Sequence, residues 1–471
     1  MKRVGMAAAV GALLLGVALP AMAQQQPTFT VTFGGEMRVI GYFWDNITDF
    51  TDTGPGGTTK DSDSRYYQRW RLFTTVQTAD KKAKAVWAVE VGDLTWGTGS
   101  SPSGNEYGGP SGAPAAAGRG AGAGLGADGV NIETKLAYVQ FDLPGVPGAN
   151  LLLGAHNIVF MSGSNGAVMD DDGFGVQFNW KADPVDLQVY TVKIDENTLA
   201  NPDDNDMYVA RLGINVTKDI RLTVEGMVVN QQCLRAPGST TACNQTPNVD
   251  FGDNFWIGVT GSAKAGTLSL DGAFVYGQRQ LRCPTCSATV AKQTAEERGW
   301  GVNLTARFPV GPAQMWAHGW YTTGDENRPL PASSNGILVG NSDKLPIPIG
   351  GASWYSVPFV AEFITGNRTI GVPFLNQPLY ADPTGLWGVG ASVTYALTPA
   401  LSLGGGVAFV GVSEEARVGK SAPFGDTVVE VDGGLLYTYN SNLSFQFLGG
   451  YLFPDEEDNA WGLAFRTRFA F

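Results

Sequence analysis

Residues 29–43 read FTVTFGGEMRVIGYF and decide the fold class of this chain. Apolar side chains recur at every second position, where a strand would place them on one face: Phe29, Val31, Phe33, Met37, Val39 and Phe43. Polar side chains take the alternate positions: Thr30, Thr32, Glu36 and Arg38. An amphipathic helix repeats about every 3.6 residues, so this alternation predicts a β-strand. The strand exceeds the usual ~5–6 residues and fits a tilted strand that crosses a bilayer, which needs about 9–11 residues.

The same alternation returns along the chain as far as its last residue. It is found in 69–76, 174–181, 401–409 and 461–471. In the first and the last of these segments, arginines take the polar positions. Soluble β-sandwiches also alternate, but their water-facing side seldom carries such arginine ladders. The pattern therefore favours strands whose apolar side faces lipid and whose polar side faces an aqueous interior.

Two kinds of link separate the alternating segments. Eight short links lie near 80–82, 144–148, 183–184, 218–219, 265–266, 310–312, 398–399 and 440–442. Nine long links, polar or glycine-rich, span roughly 46–64, 97–130, 158–172, 196–205, 232–253, 279–298, 324–384, 413–426 and 453–459. Their strict alternation predicts an antiparallel transmembrane β-barrel of about 18 strands, with short periplasmic turns and long extracellular loops. The range is 16 to 20 strands, because 324–384 is either one large loop or holds a further hairpin.

The composition excludes several other classes of protein. Of 471 residues only 16% are charged, against roughly 25% in soluble domains. Glycine occurs 63 times, about twice its usual share of ~7%. A hydrophobic content of 43% with a mean hydropathy of −0.05 fits neither a helical membrane protein nor a disordered chain. Two histidines leave little room for multi-histidine metal or haem chemistry.

The N-terminus has the pattern of an export signal. Lys2 and Arg3 precede an apolar run from Met6 to Leu19, and residues 21–23 (Ala-Met-Ala) form a small-x-small cleavage site. An uncleaved membrane anchor is the alternative, but the run is short and no stop-transfer flank follows. We therefore expect a signal peptide at 1–23 and a single barrel domain at 24–471. Losing two positive charges would change the formal net charge from −13 to about −15.

The cysteines form two clusters in polar, turn-rich segments: Cys233 with Cys243, and Cys283 with Cys286. In an exported chain, disulfide bonds are the default expectation. The pairing could run within each cluster or between the clusters. A redox or metal motif is the alternative for residues 283–286, although no histidine follows for haem attachment.

Closing about 18 strands leaves an interior too wide for side chains to fill, so the barrel should enclose an aqueous channel. Because the last strand must pair with the first, five inward arginines should line one sector: Arg38, Arg69, Arg71, Arg466 and Arg468. Facing lipid, each would cost about 2–4 kcal/mol near the midplane. Acids are predicted elsewhere in the lumen: Glu36, Glu90, Glu225, Asp271, Glu430 and Asp432. These charges either form a charge filter or merely solvate the wall.

The third long link, 158–172, is the candidate constriction loop. It starts with Ile-Val-Phe-Met at 158–161 and ends with Asp170, Asp171 and Asp172. If the link folds into the barrel, Phe160 and Met161 pack on the wall and the aspartates face the arginines. The alternatives are an acidic extracellular loop and a calcium site, although consecutive acids lack the every-other-residue spacing of an EF-hand. The glycine- and alanine-rich link 97–130 suggests a flexible loop.

Several motifs carry a resemblance to a known family. Arg69-Trp70-Arg71, the segment 92–97 (GDLTWG), 126–129 (GADG) and 135–139 (KLAYV) resemble outer-membrane homotrimeric porins of sulfate-reducing and related bacteria. The resemblance is strongest over about 29–180 and the closing strand, and 385–390 (GLWGVG) also resembles alginate-export-type barrels. The terminal Phe471, in register with Phe469 and Phe465, is similar to the aromatic assembly signal of outer-membrane barrels.

The resemblance implies a homotrimer in the outer membrane of a Gram-negative bacterium that lets small hydrophilic solutes and ions diffuse passively. Its partners would be lipid and those solutes, with no nucleic acid and no cofactor. The alternatives are a solute-specific channel for anionic sugars or organic anions, and a barrel sheath around a periplasmic partner. A rim enzyme is not expected, because His156 and His318 show no nucleophile–base spacing.

Overall fold

The computed structural model describes residues 29–46, 62–96, 132–161, 166–167, 169–195, 205–231, 250–251, 254–282, 294–324, 354–355, 385–414 and 425–471. The described residues form one β-barrel of 18 strands. In chain order, its first nine strands are β1 Phe29–Asp45, β2 Asp63–Thr78, β3 Ala83–Thr95, β4 Glu133–Asp142, β5 Ala149–Phe160, β6 Met169–Ala182, β7 Val185–Asp195, β8 Asn205–Thr217 and β9 Ile220–Gln231. The other nine are β10 Asn254–Ala265, β11 Leu268–Arg282, β12 Thr294–Val310, β13 Ala313–Thr322, β14 Leu386–Ala396, β15 Leu401–Val412, β16 Thr427–Thr438, β17 Leu443–Pro454 and β18 Ala460–Ala470.

Each barrel strand pairs antiparallel with the next one along the chain, and β18 pairs with β1 to close the ring. Arg38 lies opposite Arg468 in the closing pair and opposite Arg69 in the pair of β1 with β2. Closure gives every strand two hydrogen-bonded neighbours, which a sheet in hydrocarbon requires. The predicted fold class and the count of 18 strands are confirmed.

Three two-residue strands accompany the barrel: Gly166–Ala167, Asp250–Phe251 and Trp354–Tyr355. Asp250–Phe251 extends the pairing with β11. The other two pair with each other. The barrel closes without a hairpin from the segment 324–384, because β13 pairs directly with β14. The lower and higher strand counts are thereby excluded.

All eight short links fall where the sequence predicts them, but two long links, 158–172 and 279–298, are shorter than predicted. In the second, β11 continues to Arg282 and β12 starts at Thr294, so Arg279 and Glu297 lie on strands. The predicted loop 158–172 is shorter, because β5 continues to Phe160 and β6 starts at Met169. Their pairing runs through Val159 opposite Asp170 and Ile158 opposite Asp171. The three aspartates therefore lie on a strand. Acidic residues and glycines disfavour strands in general, but pairing with an apolar partner strand overrides that preference here.

The barrel surface follows the alternation seen in the sequence. Apolar residues that face outward are exposed, among them Phe33 at 68% and Phe174 at 65%. Polar residues at the alternate positions face inward, and several are buried, such as Arg38 at 2%. The described residues include no helix long and apolar enough to cross a bilayer. An apolar exterior around a charged interior is the surface of a barrel that spans a membrane with its strands.

One short turn shows how these links are held. In the turn after β2, the carboxylate of Asp80 accepts hydrogen bonds from the Thr78 hydroxyl at 2.7 Å and from the Lys82 N–H at 3.1 Å. The hydrogen bond from Thr78, followed by that from Lys82, lowers the pKa of the Asp80 carboxyl. This is the local side-chain-to-backbone bonding that favours Asp in turns.

The C-terminal residue continues the sheet beyond β18. Phe471 exchanges two backbone hydrogen bonds with Gly35 of β1, at 2.9 and 3.0 Å. Its ring stacks on Phe469 and is 47% exposed on the outer face. This placement matches the register predicted for the final aromatic residue. The assembly role itself stays a prediction.

Some sequence predictions concern residues outside the described ranges. These are the signal peptide at 1–23, the glycine-rich link 97–130 and the four cysteines Cys233, Cys243, Cys283 and Cys286. For the segment 324–384, the description covers Gly324 and the pair at 354–355 alone. The disulfide predictions therefore stay predictions.

Candidate functional site: the charged lumen and its inward hairpin

Strands β18, β1 and β2 place five arginines on the inner wall, and we call this group the basic sector: Arg38, Arg69, Arg71, Arg466 and Arg468. Arg468, Arg38 and Arg69 lie side by side in one row across the three strands. Arg466 lies one inward position nearer the long links, opposite Ile40. Arg38, Arg69 and Arg466 are at most 4% exposed. Alternation on neighbouring strands thus concentrates positive charge in one part of the lumen.

Two glutamates neutralise part of this charge. Glu36 accepts a hydrogen bond from Nε of Arg468 at 2.8 Å. Glu90 forms ion pairs with Arg71 and, at 3.4 Å, with Nε of Arg69. The described ion pairs set two glutamates against this group, so the five arginines and the two glutamates together carry a formal positive balance. Both acids belong to the predicted set of lumen acids.

A second feature narrows the lumen from the side of β5 and β6. The backbone pairing of β4 with β5 ends at Ala137 opposite Ala155. Just before this point Gly154 has a φ of +123°, and a Cβ there would lie 2.2 Å from the Ala137 carbonyl oxygen. That conformation suits glycine alone. Beyond it, 156–160 and 169–173 pair with each other. We call these two segments, together with Met161, the inward hairpin.

The inward hairpin is anchored to a distant strand. The backbone N–H of Met161 donates to Oε2 of Glu225 on β9 at 2.9 Å. The other carboxylate oxygen of Glu225 accepts from Nη2 of Arg211 at 2.8 Å. Glu225 is 1% exposed, so this charge-assisted bond is shielded from water and correspondingly strong. One predicted lumen acid therefore holds the hairpin against the wall.

Apolar packing supports the same anchor. Met161 has its sulfur against Gly258 of β10, where a Cβ would come within 2.1 Å of Sδ. Tyr190 of β7 donates from its hydroxyl to the carbonyl oxygen of Val159 at 3.0 Å. The hairpin residues belong to one buried cluster with inward residues of β7 to β11: Ile158, Phe160, Met161, Met169, Tyr190, Val192, Met207, Val209, Met227, Val229, Trp256, Ala273 and Val275. Burial of these side chains, at about 25 cal/mol per Å², favours the folded-in position.

The three aspartates do not all have the partners that the sequence predicts. Oδ2 of Asp172 pairs with Nζ of Lys135 on β4 at 2.5 Å. Lys135 also lies 4.0 Å from Glu90, so the described contacts link Asp172 to the basic sector through this lysine and that glutamate. Asp171 accepts from the N–H of Asp172 at 2.8 Å. For Asp170 only the backbone is described.

The tip of the inward hairpin meets a second segment. Gly166–Ala167, in the link between β5 and β6, pairs antiparallel with Trp354–Tyr355. The latter pair belongs to the long link between β13 and β14. Two links therefore meet by backbone hydrogen bonds at the hairpin tip.

The wall opposite carries charges that are matched one to one, and we call it the paired sector: Arg211 with Glu225, Arg279 with Glu297, and Arg307 with Asp271. The first two pairs lie directly opposite each other in register, on β8 with β9 and on β11 with β12. Their N–O distances are 2.8 and 2.6 Å. Arg307 contacts Asp271 from the neighbouring strand. The remaining predicted lumen acids, Glu430 and Asp432, are buried on β16.

Five of these charged residues lie outside the set predicted from the sequence: Lys135, Arg211, Arg279, Glu297 and Arg307. The strand register could have predicted the pair of Arg211 and Glu225. Counting residues outward along both strands from the turn at 218–219 brings these two opposite each other within one position. No such signal exists for Lys135, because a register shift between Ala88 and Val89 changes its neighbours.

The described residues contain no group of three or more His, Cys, Asp or Glu side chains that could hold a metal ion. Their two histidines lie on different strands. Nδ1 of His156 on β5 is 3.0 Å from the Gly154 carbonyl oxygen. Nδ1 of His318 on β13 is 2.7 Å from the Thr305 hydroxyl.

No protein-family model matches the chain, and no curated protein matches it. Several solved structures do match the chain. OccK8 (OprE) of Pseudomonas aeruginosa is 10% identical, with a TM-score of 0.51 over 94% of this chain and 98% of the other. The outer membrane protein OpdK of Pseudomonas aeruginosa is 10% identical, with a TM-score of 0.50 over 93% and 98%. At this identity the likeness establishes the fold: the chain is a closed antiparallel barrel like these outer-membrane proteins.

Proposed function

We propose that this protein is an outer-membrane porin through which small hydrophilic solutes and ions diffuse passively. The observation that carries the proposal is the distribution of charge: ion pairs and arginines line the inside of an 18-stranded barrel whose outside is apolar. A barrel of this size encloses more space than its wall side chains fill. Charged groups on the inner side of the wall avoid the cost of facing lipid, and ion pairs offset part of their burial.

The inward hairpin supplies the constriction in this proposal. Its anchor at Glu225 and its packing against Gly258 hold it beside the wall of β7 to β10. Solutes would pass between the hairpin and the basic sector, where the local field sets the preference for ions. The similarity to outer membrane proteins such as OpdK supports the same setting.

The proposal includes homotrimeric assembly, which the sequence resemblance to porins of sulfate-reducing bacteria implies. It also gives the basic sector the role of a charge filter. A solute-specific channel for organic anions is the second candidate, and the positive balance of that sector favours it. Both candidates share the aqueous pore and differ in whether a solute binds on its way through.

Liposome swelling tests the proposal with the refolded full chain. We expect proteoliposomes in an isotonic solution of a small sugar to swell at a rate that falls with solute size, as diffusion through a water-filled pore requires. The control is the same protein heat-denatured before reconstitution. A folded barrel that admits no solute contradicts the proposal, and rates that are independent of size but saturable favour the specific channel.

A further inference from the structure

A recess of about 260 Å³ opens on the inner wall beside the inward hairpin, between β4 and β8. Its lining comes from β4, β5, β6, β7 and β8, and its polar members include Tyr138, His156, Gln177, Gln188 and Arg211. The volume is near the lower end of ligand pockets, which run from roughly 300 Å³ upward. A solute of the size of one sugar ring suits it.

Each of the two glutamine amides in the recess has one of its two N–H groups bonded to a neighbouring side chain. Nε2 of Gln177 and Nε2 of Gln188 both donate to Oδ1 of Asn179, at 2.9 and 3.0 Å. Nδ2 of Asn179 in turn donates to Oδ1 of Asn150 at 2.9 Å. The structure gives the two glutamine carbonyl oxygens no hydrogen bond to another described residue. They are therefore placed to accept one from a solute.

His156 adds a third acceptor. Its Nδ1 lies 3.0 Å from the Gly154 carbonyl oxygen, which can only accept, so Nδ1 carries the proton. In the neutral imidazole Nε2 then keeps its lone pair. The side chain is 3% exposed, and Nε2 has no hydrogen-bond partner among the described residues. An unmet acceptor in a buried side chain is costly, and a solute hydroxyl would satisfy it.

The charge in the recess is balanced. Arg211 is the cation of its lining, and Glu225 holds Nη2 of this arginine at 2.8 Å. Glu225 already offsets the charge of Arg211, so a carboxylate bound here would add a second negative charge beside one cation. Apolar side chains of Leu136, Leu152 and Val159 complete the lining, and these can pack against the C–H faces of a sugar ring.

We propose that this recess is a binding subsite for an uncharged, hydroxyl-rich solute the size of a monosaccharide. The solute donates hydroxyl hydrogens to the carbonyl oxygens of Gln177 and Gln188 and to Nε2 of His156. The inference deepens the proposed channel function, on which its biological meaning rests, by naming the solute class. The binding test below requires no conductance, so the two proposals can fail separately.

Nitrogen-15 NMR of the histidine imidazoles tests the proposal, because the chain has only two histidines. The refolded full chain in detergent micelles is titrated with D-glucose, and the H318Q variant assigns the signals. We expect a saturable shift of the Nε2 signal of His156. D-glucuronate, which adds a carboxylate to the same ring, is expected to bind about tenfold more weakly.

Two variants separate binding from folding. Gln188→Leu removes one acceptor, and we expect it to weaken glucose binding about tenfold. Gln446→Leu removes a lumen amide on β17, away from the recess, and should leave binding unchanged. Equal weakening by both variants, or no saturable shift with folded protein, overturns the subsite. Tighter binding of glucuronate overturns the assignment to neutral solutes.

Discussion

The basic sector and the paired sector are built from the same residue types on the same scaffold, yet their charge balance differs. The paired sector sets three arginines against three acids, each in direct contact. The basic sector sets five arginines against Glu36 and Glu90, and three of the arginines share one row. Which residues lie opposite each other across two strands therefore decides where a lumen carries a field. The overall composition does not decide it, since the formal net charge of the whole chain is −13.

The difference also separates structural from conducting roles. In the paired sector a carboxylate such as Glu225 is committed to an arginine and to the hairpin backbone. In the basic sector the described ion pairs leave a formal positive balance. We infer that the paired sector shapes the passage and that the basic sector selects what enters it.

The largest expected effect comes from breaking the anchor of the inward hairpin. Glu225→Gln leaves Arg211 without its carboxylate and weakens the bond to the Met161 N–H, so we expect a loss of about 3 kcal/mol in unfolding free energy. Glu297→Gln is the matched control, because Glu297 is equally buried and pairs only with Arg279 among the contacts described. Both variants should lose stability in denaturant titrations. Only Glu225→Gln should raise single-channel conductance, and equal conductance in the two would argue against the anchor.

Removing charge from the basic sector should change selectivity next most strongly. We expect the double variant Arg38→Gln/Arg69→Gln to lower the ratio of chloride to potassium permeability about tenfold, because local fields of this kind concentrate counter-ions by at least that factor. Reversal potentials in a planar bilayer measure the ratio. The control, Arg279→Gln/Glu297→Gln, removes one matched pair and no net charge, so it should leave the ratio unchanged. A similar fall in both would contradict the division into sectors.

The contact between Met161 and Gly258 predicts a smaller effect on stability. Gly258→Ala puts a Cβ within 2.1 Å of Sδ of Met161, and shifting this flexible side chain should cost about 1 kcal/mol. Gly226→Ala is the control, because its Cβ would meet no atom within 4 Å. That change should be neutral or stabilise by about 0.5 kcal/mol. Urea titration compares the two, and a stabilised Gly258→Ala would show that the hairpin does not rest on β10.

The smallest effect is expected at Lys135. Its charge is offset by Asp172 at 2.5 Å and by Glu90 at 4.0 Å. Lys135→Met should therefore lower the chloride preference only about twofold. A fall as large as that of the double arginine variant would place Lys135 in the selecting group. The reversal potential is again the measurement.

Most of the fold could be predicted from the sequence, because every strand of a barrel shows the same alternation of outward apolar and inward polar residues. Alternation at period two and the contrast of short and long links hold from Phe29 to Phe471, so errors at one link do not propagate. The predicted bounds of the link 158–172 were wrong at both ends, since β5 continues to Phe160 and Asp170–Asp172 lie on β6. Pairing with β5 extends the strand there, and no local propensity signals it.

The charged lumen could be predicted only where its residues lie on neighbouring strands, close to the pair of β18 and β1 that closes the barrel. The row of Arg468, Arg38 and Arg69 follows from pairing the last strand with the first. The contact between Met161 and Glu225 joins residues far apart in sequence through the turn of the chain at Gly154. A glycine in a strand marks a bulge or a bend, but it does not say where the chain goes next. The ion pair between Asp172 and Lys135 could not be predicted either, because it also depends on where the inward hairpin goes after Gly154.

The reversal potential of the refolded wild-type protein under a KCl gradient tests the central claim most directly. The described residues of the basic sector have a positive balance, while those of the paired sector are neutral, so we expect chloride to cross in preference to potassium. The sign should persist at moderate salt and weaken in concentrated salt, as screening shortens the reach of the arginines. A stable conductance with a preference for potassium would contradict the claim that the basic sector governs the passage.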